Sequence, residues 1–176
     1  AFRSVTEGEQ EIQVVREYRH MGTWVEENNR TLRTVTINVG MAHGAFRPLA
    51  KEVLANKEFT KETRMQLTTA LAIQGRALYN AHVWPKMNAE SRNKLEAGVM
   101  SLFRKLAGMV TTEKHPDHKS NQQVLAALKA NSVREMIYAG RLRYAKRTHE
   151  PGTPDELWAL AKAEDEFEGS WLQMLR

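Results

Sequence analysis

Apolar residues recur along this chain with two periods, and the change of period divides it. Near the start, "AFRSV" and "EIQVV" are short β-prone runs on either side of the turn-like "TEGEQ". They predict a β-hairpin within residues 1–25, with Gly8 in its turn. Strict alternation fails at Val14-Val15, which predicts a bulge or a second turn near Arg16-Glu17. From Leu32 the period is helical. Leu32, Val35, Val39, Ala42, Phe46, Leu49 and Val53 follow one another at alternating spacings of three and four, a seam along one helical face.

Helix boundaries follow from capping chemistry. Asn28-Asn29 are N-cap candidates for the first helix. Pro48 clashes with the Gly44 carbonyl and lacks a donor, so a kink or break is predicted there. Gly40 and Gly44 offer a place where another backbone can come close. Thr60 caps a second helix running to Trp84, apolar on most faces and therefore expected at the centre of the bundle. Asn88 caps a third, with Leu95, Val99, Leu102 and Leu106 as its stripe. After the loop "GMVTTEKHPDHKS", Ser120 starts a short helix ending near Asn131, and Ser132 starts another reaching about Arg147. "HEPGTPDE" is the clearest linker; Thr153 with Pro154 behind it opens a final helix or helical pair. The expected fold class is mainly α: a helical bundle with a short N-terminal β-hairpin and a C-terminal helical appendage. Residues 1–150 form the hairpin and bundle, and residues 151–176 the appendage.

Charge separates the same two regions. Residues 151–176 carry Lys162 and Arg176 against six carboxylates, a net −4, whereas the rest holds 24 bases and 15 acids, a net +9. A basic body favours polyanionic partners, and basic surfaces are also common in subunits of large assemblies. Cys is absent, which removes disulfides, thiolate nucleophiles and cysteine-bound metals and leaves the compartment unreadable. No apolar run approaches a membrane span. The chain starts at Ala1 rather than Met, the pattern expected of a processed chain or of a piece of a longer one.

The strongest binding element is "SVREMIYAGRLRYAKRTH". Val133, Met136, Ile137, Gly140 and Tyr144 make a packed face, with Arg134 and Arg141 to one side and Arg143 and Lys146 to the other. Such a helix straddles phosphates, with Tyr138 free to stack on a base. Arginines beside a core stripe also serve simply to cover it with their apolar stems. His115-Pro116-Asp117-His118 is the only compact set of metal-ligand types, and it has no evident fourth ligand, so a solvated loop is expected and no metal or cofactor is assigned. His43 and His82 are expected as ordinary histidines within helices.

The stretch "YRHMGTWV" completes the pattern. A strand pair ending in tyrosine, basic residues and a hydrophobic-glycine step, followed by helices, resembles the primer-grip and thumb region of non-LTR retrotransposon reverse transcriptases. The step is Tyr18-Arg19-His20-Met21-Gly22, with Met in place of the usual Leu. "ALYNAHVW", "LEAGVMSLFRKLAG", "VREMIYAGRLRYAKR" and "LWALAKAE" look like later elements of that region, so the resemblance covers roughly residues 10–165. It implies that the hairpin supports a primer end and the helices hold a template–primer duplex, with Tyr18, Arg19, His20 and Gly22 near a nucleic-acid backbone. On a plain packing reading, Tyr18, Met21 and Trp24 are instead core anchors of the hairpin. The family's catalytic palm needs paired aspartates for two metal ions. This chain has only Asp117, Asp155 and Asp165, none adjacent, so no polymerase activity is expected. No P-loop, nucleophile elbow or dinucleotide fingerprint occurs either, and the chain is not expected to be an enzyme.

Two functions therefore stand side by side. The first is a non-catalytic protein or fragment that binds RNA or DNA through its basic surface. The second is a structural or accessory subunit of a large protein assembly, organellar among others, that reuses a retroelement-derived fold. The second would dock partner subunits through Leu157, Trp158, Leu160, Phe167 and Trp171.

Overall fold

The structure, a computed structural model, describes residues 3–7, 10–20, 23–26, 31–110, 118–148 and 150, and single positions at 154, 159, 163, 166, 170 and 173. The fold is mainly α, as its periodicity predicts. Strands β1 (Arg3–Glu7) and β2 (Gln10–Val14) form one antiparallel hairpin, and β3 (Glu17–His20) and β4 (Thr23–Glu26) form a second. Val15 and Arg16 separate the two, which is where the alternation fails. In β3–β4 the register sets Tyr18 opposite Val25, Arg19 opposite Trp24 and His20 opposite Thr23.

Helix α1 (Leu32–Leu49) starts later than its asparagines suggested. Its N-cap is Thr31, which makes no side-chain capping bond, and Asn28 and Asn29 lie outside the described residues. Behind Pro48 the coil widens into a π-helical turn, Ala50–Leu54, and the Ala55 N–H reaches back five residues to the Ala50 carbonyl. The missing proline donor is accommodated by changing the hydrogen-bond step. Val35, Ala42 and Phe46 of the seam are buried; Leu32, Val39, Leu49 and Val53 are half-buried. This face packs on both the second and third helical segments.

The second helix departs furthest from its sequence reading. Thr60 caps it, with its hydroxyl accepting from Thr63 N–H at 3.1 Å, but the α-helix α2 covers only Lys61–Thr68. Thr69–Ala77 is π-helical and ends at a turn where Asn80 takes the left-handed region at φ 55°. A 3-10 turn, Ala81–Val83, then leads to buried Trp84. This segment is not the centre of the bundle: Ala72, Ile73 and Ala77 point inward while Leu71 is half exposed. The central helix is α3 (Ala89–Ala107), which packs against α1, the π-helical segment, α4 (Asn121–Leu128) and α5 (Val133–Thr148). Its predicted stripe holds for Leu95, Val99 and Leu102, with Leu106 half-buried. Met100 and Phe103 widen it to a second face.

Capping fixes the ends of the later helices. Asn88 Oδ1 accepts from Ser91 N–H at 2.8 Å, and Gly108 ends α3 at φ 67°. Ser120 with Gln123, and Ser132 with Glu135, form reciprocal capping pairs. Close helix approach occurs at Gly98, where a Cβ would stand 2.5 Å from Val39 Cγ1. It does not occur at Gly40 or Gly44, beside which there is open space.

Candidate nucleic-acid interface

The β3–β4 hairpin is tied to the bundle by hydrogen bonds, an ion pair and a cation over an aromatic ring. The Arg33 guanidinium lies 3.9 Å from the Trp24 ring centroid and pairs with Glu17. Thr34 Oγ1 donates to the Trp24 carbonyl at 2.9 Å, and Asn80 Nδ2 donates to Thr23 Oγ1 at 3.2 Å. Trp24 is thus an anchor, stacked with a cation and half-buried. Tyr18 is half exposed and Arg19 exposed, so neither is a core anchor. His20 belongs to β3, but its side chain, like Met21 and Gly22, lies outside the described residues.

The turn that holds Thr23 also supports α5. His82 stacks against Tyr144 with ring centroids 5.1 Å apart and a tilt of 47°. Burial lowers the His82 pKa below 6.5, and Arg141, Arg143 and Arg147 lower it further, so the ring is neutral at pH 7. Residues 79–82 therefore touch the hairpin on one side and α5 on the other, linking two regions more than a hundred residues apart in sequence.

On α5, Val133, Met136 and Ile137 are buried and Gly140 and Tyr144 half-buried, as the packed face requires. Arg134, Tyr138, Leu142 and Lys146 stand four residues apart and all are exposed, forming one ridge along the outward face. Arg143, also exposed, lies beside it with Nε donating to the Ala139 carbonyl at 3.3 Å.

Arg141 does not fit the expected phosphate-facing set. It is only 7% exposed, and its Nη2 donates to the Trp84 carbonyl at 3.0 Å. A guanidinium held this way satisfies a buried carbonyl at the end of the 3-10 turn and is withdrawn from any ligand on the outer face. Burial lowers its pKa, yet an arginine stays charged.

Between the 79–83 turn and α5 runs a groove of about 300 Å³ that includes Leu78, Tyr79, His82, Ile137, Gly140 and Arg143. Sequence reasoning passed over it by continuing a helix through Asn80. The available signal was Asn80 itself, because asparagine is among the few non-glycine residues that readily enter the left-handed region. Among the described residues no group of three or more His, Cys, Asp or Glu side chains could hold a metal ion. His118 is exposed, and His115, Pro116 and Asp117 lie outside them, as do Leu157, Trp158, Leu160, Phe167 and Trp171. No described helix is long and apolar enough to cross a membrane. No protein-family model, curated protein or solved structure matches the chain.

Proposed function

We propose that the chain is a non-catalytic nucleic-acid-binding protein or fragment, similar to a reverse transcriptase thumb, whose contact surface is the outer face of α5. One observation carries this reading: the ridge Arg134–Tyr138–Leu142–Lys146, with Arg143 beside it, sets cations on both sides of an exposed aromatic ring. Arg134 and Lys146, about 18 Å apart along the helix, can reach phosphates well separated along a strand, while a tyrosine between them offers a face to a base. On this reading the exposed Tyr18 and Arg19 of the β3–β4 hairpin are a second contact region. Contacts of this kind read charge and stacking, not sequence.

The test is binding of short labelled DNA and RNA strands of unrelated sequence, followed by fluorescence anisotropy at several salt concentrations. Replacing Arg134, Arg143 and Lys146 with Gln should weaken all of them alike and flatten the log–log salt slope by about 0.7–0.9 for each phosphate no longer neutralised. Wild-type affinity no tighter than about 10⁻⁴ M, the weak edge of ordinary non-specific binding, defeats the proposal. In that event the accessory-subunit reading takes its place. Leu142, nearly half exposed in the middle of the ridge, is the feature that favours it, since an outward leucine suits a protein partner better than a phosphate.

A further inference from the structure

The groove beside α5 has a shape and chemistry that the outer ridge lacks. Its volume, about 300 Å³, lies at the small end of ligand sites, too small for a folded partner or a stacked base pair. Leu78, Ile137 and Gly140 line it with apolar surface, and the aromatic residues Tyr79 and His82 stand in its wall. Arg143 belongs both to the groove and to the basic face, so a strand lying along α5 passes its mouth. Of the residues lining it Arg143 is a cation and none is a carboxylate, which disfavours a cationic ligand. Gly140 keeps the space open: a Cβ there would already reach His82 Cβ at 3.4 Å, so a longer side chain must enter the groove or displace its wall.

We propose that this groove takes one unstacked nucleobase, held between Tyr79, His82 and the apolar face of α5, while Arg143 holds the phosphate at its mouth. This rests on the nucleic-acid reading above and sharpens it, because a base inside a duplex cannot enter, and the preferred ligand becomes a single strand. Exposed Tyr79 offers a ring of the kind that bases stack on, and His82, its own ring packed against Tyr144, closes the wall beside it.

Two probes with equal numbers of phosphates separate base from backbone: an oligothymidylate and an abasic deoxyribose-phosphate strand of the same length. The full chain should bind the oligothymidylate about tenfold more tightly, the scale of one base–aromatic stack. With Tyr138→Ala in every protein compared, so that the outer ridge no longer stacks a base, Gly140→Leu should abolish that preference while leaving abasic affinity unchanged, and Tyr79→Ala should reduce it. Equal wild-type affinity for the two strands overturns the groove proposal and leaves the nucleic-acid reading standing. Failure of either strand to bind overturns both. A preference that survives Gly140→Leu places the stacking elsewhere and also overturns the proposal. Should Gly140→Leu not melt cooperatively, Tyr79→Ala decides, with its own cooperative melt as the control that losing the ring leaves the fold intact. An undiminished preference in Tyr79→Ala then rejects the groove.

Discussion

Gly98→Ala and Gly44→Ala are the same substitution in two helices that pack on each other, and they should move stability in opposite directions. Each replaces a helix-interior glycine, which by itself gains about 0.5–1 kcal/mol from reduced chain entropy and better helix propensity. At Gly44, in α1, the new methyl meets no atom within 4 Å, so the whole gain should appear. At Gly98, in α3, the Cβ would sit 2.5 Å from Val39 Cγ1, 2.9 Å from Cγ2 and 3.3 Å from Cβ. Valine is short and held to one rotamer in a helix, so it cannot swing aside, and the helices must separate. Overpacking of this kind costs about 1–3 kcal/mol. Less the propensity gain, Gly98→Ala should lose about 1 kcal/mol, or roughly 2–4 °C in Tm for a chain of this length. Thermal and urea melts followed by circular dichroism measure both variants. Adding Val39→Ala removes the obstacle, so the pair should recover about 1 kcal/mol beyond additivity. If Gly98→Ala stabilises the protein as much as Gly44→Ala does, α1 and α3 do not cross at this distance and the packing described above is wrong.

Phe46→Ala, which empties a buried site in the α1 seam, should cost about 3–5 kcal/mol in urea melts, and a loss under about 1 kcal/mol removes that seam from the core. Arg141→Gln should destabilise by about 1–3 kcal/mol because it disturbs the partner of the buried Trp84 carbonyl, whereas Arg143→Gln should leave melting unchanged. His82 and His43 are both held below 6.5 by burial and neighbouring cations, so below that pH the unfolded chain binds more protons than the folded one. Their contribution is present above pH 6.5 and lost as pH falls through the folded pKa values; the fall in Tm from about pH 7 to pH 5 should be shallower in His82→Gln, and an unchanged slope refutes the assignment. Primer-extension and nuclease assays with magnesium or manganese should be blank, since no two aspartates are adjacent; activity that survives repurification and scales with protein refutes this.

Local chemistry was legible where a single residue decides the structure. Asn88, Ser120 and Ser132 mark their helix starts because each side chain satisfies an amide that the helix leaves unpaired. Val14-Val15 marks the break between the hairpins for a similarly local reason. The centre of the bundle was not legible. "LTTALAIQGRALYNAHVW" has the higher apolar content, but α3 is the more enclosed, because burial depends on how many neighbours surround a helix. Glycines mislead in the same way: Gly40 and Gly44 have the suggestive spacing, while lone Gly98 makes the close approach. The widening after Pro48 could be expected as a disturbance, but its π-helical form depends on which carbonyls remain within reach. Of the proposed site, the basic residues of α5 were named from spacing, but Arg134 and Lys146, expected on opposite sides of the packed face, share one exposed ridge, and Arg141 is buried. The groove could not be read, because Tyr79, His82 and Gly140 are brought together by a turn that a continuous helix would have erased.

Arg141 and Arg143 are two residues apart on one helix, and their different fates explain how α5 combines packing with binding. A two-residue step turns a helix by about 200°, so the two side chains leave on nearly opposite sides. Arg141 falls toward Trp84, whose carbonyl ends the 3-10 turn and needs a donor. Arg143 falls at the edge of the groove and stays exposed. One charge therefore fastens the turn to α5, and that turn supplies Tyr79 and His82 to the groove, while the other charge stands at its mouth. Replacing both arginines together would confuse damage to the groove's framework with removal of a phosphate-binding charge. The informative comparison keeps Arg141 and varies Arg134, Arg143 and Lys146. If binding falls with Arg143→Gln while melting does not, the outward charge acts on the ligand. If melting and binding fall together, Arg143 supports the fold as Arg141 does, and the binding face must be sought elsewhere on the chain.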